Sequence, residues 1–197
     1  SFVSGICTIF AQKTDSLFTS AFLKYQSADY KGSIADYSLI LKADPKYTDA
    51  YFNRAISYDK IGEYAKAVAD FNKVIALKPS AEVYYNRGQV CEKLYKYAEA
   101  IADYSKTLSM NSNFTFAIIS RAGAYAQMGQ NDSALADYNK VKVMFPKYAT
   151  LYYKIGLVYD QMLETEQAIL AYNKAISLDS SKAEFYFNRG FDFDELN

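Results

Sequence analysis

Apolar residues recur with a helical period in two runs between Tyr51 and Pro79. Polar residues near Gly62 separate the two runs, and Pro79 stops the second, because proline is poorly tolerated inside a helix. The pattern therefore predicts two helices joined by a tight turn, roughly over residues 49–61 and 64–77. One such hairpin cannot bury its own apolar face, so it must stack on copies of itself.

Copies of this stretch recur along the chain with a period of about 34 residues. In each full copy an anchoring residue is followed by a small residue four positions on, another sixteen on and an aromatic twenty on. The anchors are Leu17, Tyr51, Tyr84, Ile118, Tyr152 and, in a partial copy, Tyr186. The small residues sixteen positions on are Ser33, Ala67, Ala100, Ala134 and Ala168. Small residues let two helix backbones approach closely, and aromatic side chains fill the gaps beside them.

This pattern of anchoring, small and aromatic positions resembles the tetratricopeptide repeat (TPR) family, whose repeat spans about 34 residues. The resemblance implies an all-α fold, a right-handed α-solenoid of stacked TPR-like helix-turn-helix hairpins, with five full hairpins and a fragment at each end. The predicted repeats are 14–47, 48–80, 81–114, 115–148 and 149–182, followed by a partial repeat at 183–197. Residues 1–13 are predicted to be the end of an incomplete preceding repeat or a capping segment. The fragments at both ends suggest a piece of a longer array.

Three local departures from the repeat carry their own expectations. Lys24 stands seven residues after its anchor, where the 48–80 copy has the aromatic Tyr58. We interpret this replacement as drift near a terminus. The turns at residues 26–33 and 163–166 lack glycine at the usual position of the turn. The link beginning at Pro79 is one residue shorter than its equivalents, which should tilt one hairpin slightly against its neighbour.

Arginine and aspartate occur together at fixed positions of the repeat. Three copies carry an arginine three residues after the anchor and an aspartate sixteen residues further on: Arg54 and Asp70, Arg87 and Asp103, Arg121 and Asp137. In the 149–182 copy both are replaced, by Ile155 and Ala171, and the first copy has Ser20 opposite Asp36. Removing one partner of a half-buried pair is costly, whereas replacing both with apolar groups can be neutral. We therefore expect structural ion pairs across each hairpin rather than a ligand-binding role.

Charge and cysteine usage narrow the partners and the compartment. Lysine plus arginine equals aspartate plus glutamate at 22 each, so the basic footprint of a nucleic-acid binder is missing. Cys7 and Cys91 lie far apart in the array and predict no disulfide framework, which favours an intracellular, cytoplasmic location, with cytoskeletal or ciliary association as one form of it. No apolar stretch of about 18 residues predicts a membrane span. The first residues lack the basic segment of a signal peptide.

Histidine, which many enzymes and metal sites use, is missing, and most tyrosines stand at packing positions of the repeat. The chain has no histidine, which removes the usual base for serine or cysteine nucleophiles and the commonest zinc ligand. It contains no phosphate-binding glycine loop, nucleophile elbow or paired cysteine motif. The 20 tyrosines fall mainly at packing positions of the repeat. We expect no catalytic residues, no metal site and no cofactor.

The resemblance also implies where a partner would bind. In TPR-like proteins the first helices of successive hairpins line a concave groove that holds an extended peptide or a single helix. The matching positions here are Phe18, Phe22, Tyr25, Phe52, Asn53, Ile56, Asp59, Tyr85, Asn86, Gln89, Glu92, Ile119, Gln127, Tyr153, Leu157 and Asp160. They predict an aromatic groove floor with scattered carboxylates. The alternative for each aromatic is that it packs between neighbouring helices.

One known binding mode of the family can be tested on these residues. Chaperone-adaptor TPR domains hold a C-terminal carboxylate with a clamp of lysine, asparagine and arginine. Asn53 and Asn86 match the middle asparagine of that clamp. The flanking lysine positions are Phe18 or Phe52 in one repeat and Glu82 or Phe116 in another. A carboxylate would meet no cation there, so the clamp function is not expected.

These observations favour a non-catalytic scaffold that binds a protein partner in the groove, within a larger multiprotein assembly. Two alternatives stay open. The solenoid could act as a structural brace in a cytoskeletal or ciliary complex through its convex face and ends. It could instead bind RNA, as helical-repeat proteins of similar period do, although the neutral charge argues against this.

Overall fold

The computed structural model describes the backbone of residues 2–195 and the side chains of residues 14–193. These residues form eleven α-helices and no strand, which confirms the all-α class. The helices are α1 Phe2–Gln26, α2 Tyr30–Ala43, α3 Thr48–Lys60, α4 Tyr64–Leu77, α5 Ala81–Lys93, α6 Tyr97–Met110, α7 Thr115–Gln127, α8 Asn131–Met144, α9 Ala149–Gln161, α10 Thr165–Leu178 and α11 Ala183–Glu195. The predicted helices at 49–61 and 64–77 correspond to α3 and α4.

The helices fall into two compact units, residues 1–96 with α1 to α5 and residues 97–197 with α6 to α11. Within each unit the main contacts join helices that are consecutive in the chain, as in a stack of hairpins. In unit 2 the core runs between these helices from Ile118 to Leu151 and Val158. In unit 1 one cluster forms around Phe71 and another around Tyr37.

The small positions of the second helices are fully buried. Each of the five small residues of the second helices is 0% exposed: Ser33, Ala67, Ala100, Ala134 and Ala168. The aromatic residue four positions further on is also buried in every repeat, as Tyr37, Phe71, Tyr104, Tyr138 and Tyr172. The interpretation of these positions as packing sites is therefore confirmed.

Every turn between the first and second helix of a repeat is three residues long, and its middle residue is left-handed. These middle residues have φ of 63° at Ala28, 79° at Gly62, 58° at Tyr95, 68° at Gly129 and 59° at Leu163. The same backbone hydrogen bonds close each turn: at the second turn Glu63 N donates to Tyr58 O (2.9 Å) and Gly62 N donates to Asp59 O (3.2 Å). This is the bonding of a Schellman motif. The turns that lack glycine adopt the same conformation because these bonds require it.

The N-terminal segment is continuous with the first helix. Helix α1 runs without interruption from Phe2 to Gln26, and the assignment of residues 1–13 to a preceding repeat or a capping segment stays a prediction. The physical reason is local, since no glycine or proline occurs between residues 6 and 31 to break the helix.

The link between α4 and α5 has three residues, whereas the links before α3, α7, α9 and α11 have four. The shorter connection predicted after Pro79 is therefore present, and the tilt expected from it stays a prediction. Ser80 is the last residue of this link and the N-cap of α5, because its side chain accepts a hydrogen bond from Val83 N.

Candidate functional site

The predicted groove residues lie on one side of each first helix, which we call the first-helix face. Phe18, Phe22 and Tyr25 of α1 illustrate the spacing of four and then three residues that places side chains on one helix face. Unit 1 carries such faces on α1, α3 and α5, and unit 2 carries them on α7 and α9. None of the sixteen predicted groove residues is buried; each is partly buried or exposed. All of them therefore retain some accessible surface.

Several aromatics of the first-helix faces also pack on the second helix of their own hairpin. The Phe18 ring lies 5.4 Å from the Tyr37 ring, and the Phe52 ring lies 5.7 Å from the Phe71 ring. In unit 2 the Tyr153 ring lies 4.9 Å from Phe185 as well as contacting Tyr172. These rings pack between helices and are partly buried. Phe22, by contrast, is exposed.

The polar residues of the first-helix faces make hydrogen bonds within the protein. Asn53 Nδ2 donates to Asp49 O, and Asn86 Nδ2 donates to Glu82 O, both at 2.8 Å. Gln89 Nε2 donates to Tyr85 Oη at 3.1 Å. The two asparagines thus hold the same orientation on successive first helices, which reduces the entropy lost when a partner binds.

Asp59 is not an isolated carboxylate of the groove, because Lys93 neutralises it. Lys93 Nζ lies 2.6 Å and 2.7 Å from the two carboxylate oxygens and connects α5 to α3. Sequence reasoning missed this contact, although a spacing of 34 residues, one repeat, could have indicated it. The face of unit 1 is therefore less acidic than its sequence predicts.

The first structural pair joins three helices of unit 1. Arg54 Nε lies 2.7 Å from Asp70 Oδ2 and Nη2 lies 2.8 Å from Oδ1, a bidentate pair between α3 and α4. The remaining guanidinium nitrogen, Nη1, donates to Ser38 Oγ on α2 at 2.9 Å. The arginine therefore links its own hairpin to the preceding one, which the sequence did not predict.

Unit 2 repeats the arrangement. Arg121 Nε and Nη2 lie 2.7 Å and 3.0 Å from the two Asp137 oxygens, and Nη1 donates to Ser105 Oγ at 3.0 Å. Arg87 and Asp103 belong to different units, and their pairing stays a prediction. Arg87 Nη1 donates to Asn72 Oδ1 at 2.6 Å, the position equivalent to Ser38 and Ser105.

Lys24 is not drift, and that interpretation is corrected here. Asp36 Oδ2 accepts a hydrogen bond from Lys24 Nζ at 2.6 Å and another from Ser20 Oγ at 2.7 Å. Lys24, one turn after Ser20 on α1, therefore supplies the cation that arginine supplies in later repeats. Burial raises the pKa of Asp36, but the bonds from Lys24 and Ser20 outweigh it and hold the pKa below the ordinary value. In the 149–182 repeat, Ile155 and Ala171 are both buried and apolar.

Two buried tyrosines remain protonated at neutral pH. Burial raises the pKa of Tyr37 to about 12. Burial, together with the hydrogen bond that Tyr172 donates to Asp160, raises the pKa of Tyr172 as well. Asp160, a predicted groove residue, thus also positions the packing aromatic of its own hairpin.

Unit 2 contains an apolar cleft. Of the residues that line it, only Ile119 was among the predicted groove residues. The cleft has a volume of about 690 Å³ and lies between the start of α7 and the link from α8 to α9. It is lined by Thr115, Phe116, Ile119, Met144, Phe145, Pro146, Lys147 and Tyr148. Phe116 is 69% exposed, a large apolar area to leave in water. Two features of the sequence could have indicated this cleft: Phe116 stands about one helical turn before Ile119, and an apolar run occupies residues 143–146.

In the part of the chain that the structure describes, no helix is both long enough and apolar enough to span a bilayer. Among the side chains described, no three or more cysteine, aspartate or glutamate residues come together as ligands for a metal ion.

Family models match most of the predicted array. A model described as tetratricopeptide repeat matches residues 48–80 and 81–114, and one described as TPR repeat matches residues 123–162 and 164–191. Together these matches include more than half of the chain. No curated protein matches the sequence.

Solved structures show the same fold. The MamA protein is 26% identical, with 88% of this chain and 96% of that chain covered and a TM-score of 0.80. MamA residues 41 to the end, from Desulfovibrio magneticus RS-1, are 25% identical, covering 74% of this chain and 82% of that chain with a TM-score of 0.69. YrrB, described as a TPR protein with an unusual peptide-binding site, is 22% identical, covering 88% and 90% with a TM-score of 0.80. The likeness to YrrB concerns the fold alone.

Proposed function

Because the chain belongs to the tetratricopeptide repeat family, we propose that it is a non-catalytic scaffold whose first-helix faces hold a segment of a partner protein. The segment is an extended peptide or a single helix, and the scaffold works within a larger multiprotein assembly. The observation that carries this proposal is the apolar cleft beside Phe116 and Ile119.

The cleft suits a large apolar side chain of a partner. Its volume of about 690 Å³ falls within the usual range of binding pockets, roughly 300–1,000 Å³. Removing apolar surface from water contributes about 25 cal/mol per Å², so covering the exposed Phe116 ring favours association. Lys147 is the one charged residue of the lining. Its ammonium group can donate a hydrogen bond to a backbone carbonyl or to the C-terminal carboxylate of the partner.

Unit 1, taken by itself, offers a second preorganised surface on its first-helix faces. Asn53 and Asn86 keep their side-chain oxygens available as acceptors, because only their amide nitrogens bond to the helix backbone. Phe22 adds an exposed ring on α1. YrrB, which has this fold, supplies a precedent for peptide binding by stacked repeats.

A displayed peptide library tests the proposal directly. We expect peptides with large apolar residues to be enriched on the protein, and their binding to fall at least tenfold on Phe116→Glu. The matched control is Val143→Glu, because Val143 is 81% exposed in the same unit and does not line the cleft. Circular dichroism of both variants checks folding. If selected peptides bind the Phe116→Glu and Val143→Glu proteins equally well, the cleft is not the binding site.

A further inference from the structure

A small cavity of unit 2 lies on the first-helix faces, where the end of α9 meets α11. It has a volume of about 190 Å³ and is lined by Asp160, Leu163, Thr165, Asn188, Phe191 and Asp192. Among these lining residues two carry carboxylates and none carries a positive charge. Asp160 is a predicted groove residue, and Asn188 stands at the repeat position of Asn86, which is another. The cavity is therefore part of the kind of surface proposed above to hold a partner segment.

Asp192 is a buried carboxylate at a position that other copies fill with small or apolar residues. Six positions after the anchor, the copies between residues 48 and 182 carry Ser57, Val90, Ala124 and Val158, and all of these are buried. Asp192 is also buried, at 4% exposed. Burying a carboxylate is costly unless hydrogen bonds and a positive charge compensate for the water that it loses. Packing alone therefore does not account for the residue type at this position.

The carboxyl groups of Asp160 and Asp192 share the wall of this cavity. Tyr172 donates a hydrogen bond to Asp160 Oδ2. Burial is the largest cause of the raised pKa of Tyr172, and Asp160 and Asp192 both raise it further, so both carboxyl groups lie near the same hydroxyl. Asp160 Oδ1 and Asp192 Oδ2 are buried, and no residue that the structure describes donates a hydrogen bond to either atom. The cavity thus combines two acceptor oxygens with like charges that a cation would neutralise.

Unit 1 shows which group neutralises a carboxylate at the repeat position of Asp160. Asp59 stands eight residues after its anchor, as Asp160 does. Lys93 Nζ, from the next first helix, lies 2.6 Å and 2.7 Å from the two Asp59 oxygens. In the sequence of α11 the position of Lys93 is taken by Glu195. An ammonium group therefore suits this place in the repeat, and the corresponding residue of α11 is an acid.

The cavity lies on a side of α11 that the second helix of a repeat does not cover. In unit 1 the residue six positions after the anchor packs on the preceding hairpin, since Ser57 Oγ lies 3.2 Å from Ser33 Oγ. Ile56, the equivalent of Phe191, remains partly exposed although α4 packs against α3. The cavity therefore depends on α9, the start of α10 and α11, whatever follows α11 in the chain.

We propose, building on the function proposed above, that the partner segment carries a lysine or arginine whose cation enters this cavity between Asp160 and Asp192. A volume of about 190 Å³ admits the end of one side chain and excludes a helix. An ammonium or guanidinium group donates several hydrogen bonds, and those that it makes to carboxylates are stronger than neutral ones. Phe191 is 61% exposed and offers its ring to the methylene groups of the same side chain. Unit 2 thus favours segments that carry a basic residue as well as a large apolar one for the cleft beside Phe116.

Two displayed peptide libraries, identical except that one omits lysine and arginine, test this preference on the intact protein in a buffer that contains a metal chelator. We expect the complete library to yield binders that depend on Phe116 and carry a basic residue at a fixed distance from the large apolar residue. Replacing that basic residue with glutamine should weaken binding roughly tenfold in fluorescence anisotropy, because hydrogen bonds to a charged group are lost. In the Asp192→Asn protein this difference should fall to about threefold or less, because one of the two coupled carboxylates is gone.

The matched control is Asp132→Asn, because Asp132 is exposed on α8 of the same unit and does not line the cavity. It should leave the difference between the two peptides unchanged, and circular dichroism of both variants checks folding. Equally tight, Phe116-dependent binders from the library without lysine and arginine overturn this proposal and leave the proposed function intact. A difference that persists in the Asp192→Asn protein also overturns it, as does binding that requires added calcium chloride. Absence of Phe116-dependent binders from both libraries overturns the proposed function together with this one.

Discussion

Gly156 lies against the Tyr172 ring, and a Cβ at this position would overlap three atoms of that ring. Tyr172 is itself completely buried. We expect Gly156→Ala to lower the free energy of unfolding by about 1–3 kcal/mol, although alanine is the better helix former. Urea denaturation of the two proteins measures the difference.

Gly123 provides the comparison, because a Cβ there would meet only the Tyr138 hydroxyl at an ordinary distance of 3.7 Å. Gly123→Ala should raise the free energy of unfolding by roughly 0.5–1 kcal/mol through the lower backbone entropy of the unfolded chain. A stabilisation of similar size at both positions would show that the Tyr172 ring does not restrict Gly156.

Lys24 gives a prediction that depends on pH. Lys24→Met should lower the free energy of unfolding by about 1 kcal/mol at pH 7, because Asp36 loses its cation. A carboxyl whose folded pKa is lowered stabilises the protein above its ordinary pKa, and this contribution disappears as pH falls through the folded pKa. The difference between the proteins should therefore shrink below about pH 4.

Urea denaturation at pH 7 and at several values below pH 4 checks this dependence. Lys31→Met is the control, since Lys31 is exposed on α2 of the same unit. A Lys24→Met effect that stayed constant down to pH 2 would argue that the lysine does not act through the Asp36 carboxylate.

The helices are connected by turns in which geometry takes precedence over residue type. Leu163 adopts φ of 59° and is 87% exposed, so it bears the cost of a left-handed conformation without contributing burial. Leu163→Gly should raise the free energy of unfolding by about 1 kcal/mol. Leu163→Ala keeps the Cβ and removes the rest of the side chain, so it should change little. Thermal denaturation of the three proteins tests this, and equal effects of glycine and alanine would contradict it.

The Arg54–Asp70 pair connects three helices, and the 149–182 repeat shows how it can be replaced. Arg54→Ile alone should cost about 3 kcal/mol, because it leaves the Asp70 carboxylate buried without its cation. The double variant Arg54→Ile, Asp70→Ala copies Ile155 and Ala171 and should recover most of this loss. The four proteins of the double-mutant cycle are compared by urea denaturation. Additive losses in the double variant would mean that the two side chains do not depend on each other.

At the scale of the whole molecule, contacts between consecutive helices predict that damage stays local. Phe185 of α11 is buried against Tyr153. Deleting residues 183–197 removes Phe185 and would expose the Tyr153 ring and the adjoining part of α10. We expect amide exchange in α10 to become at least tenfold faster, while α2 in unit 1 keeps its protection. Hydrogen exchange with mass spectrometry measures both helices, and equal acceleration of α2 would indicate one cooperative unit.

Much of the fold could be predicted from local features of the sequence, namely the apolar period and the positions of proline and glycine. The ends of α4 coincide with the predicted ones, because the apolar period stops at Leu77 just before a proline. Helix α1 continues across the predicted boundary at residue 14, because helix formers without a glycine or proline continue a helix regardless of repeat boundaries. Of the candidate site, Ile119 was found by its repeat position, whereas Phe116 and Phe145 were missed as lining because their proximity depends on how a link returns beside α7.

The sequence by itself determined the period, the buried small positions and the aspartates that need a cation, because each of these follows from spacing along one helix or one hairpin. Spacing also paired Arg54 with Asp70, whereas only the tertiary structure decided that Lys24 binds Asp36 and Lys93 binds Asp59. It also decided which aromatics fill gaps and which remain exposed. The reason is that long side chains reach across helices, where distances depend on packing and not on the separation of residues in the chain.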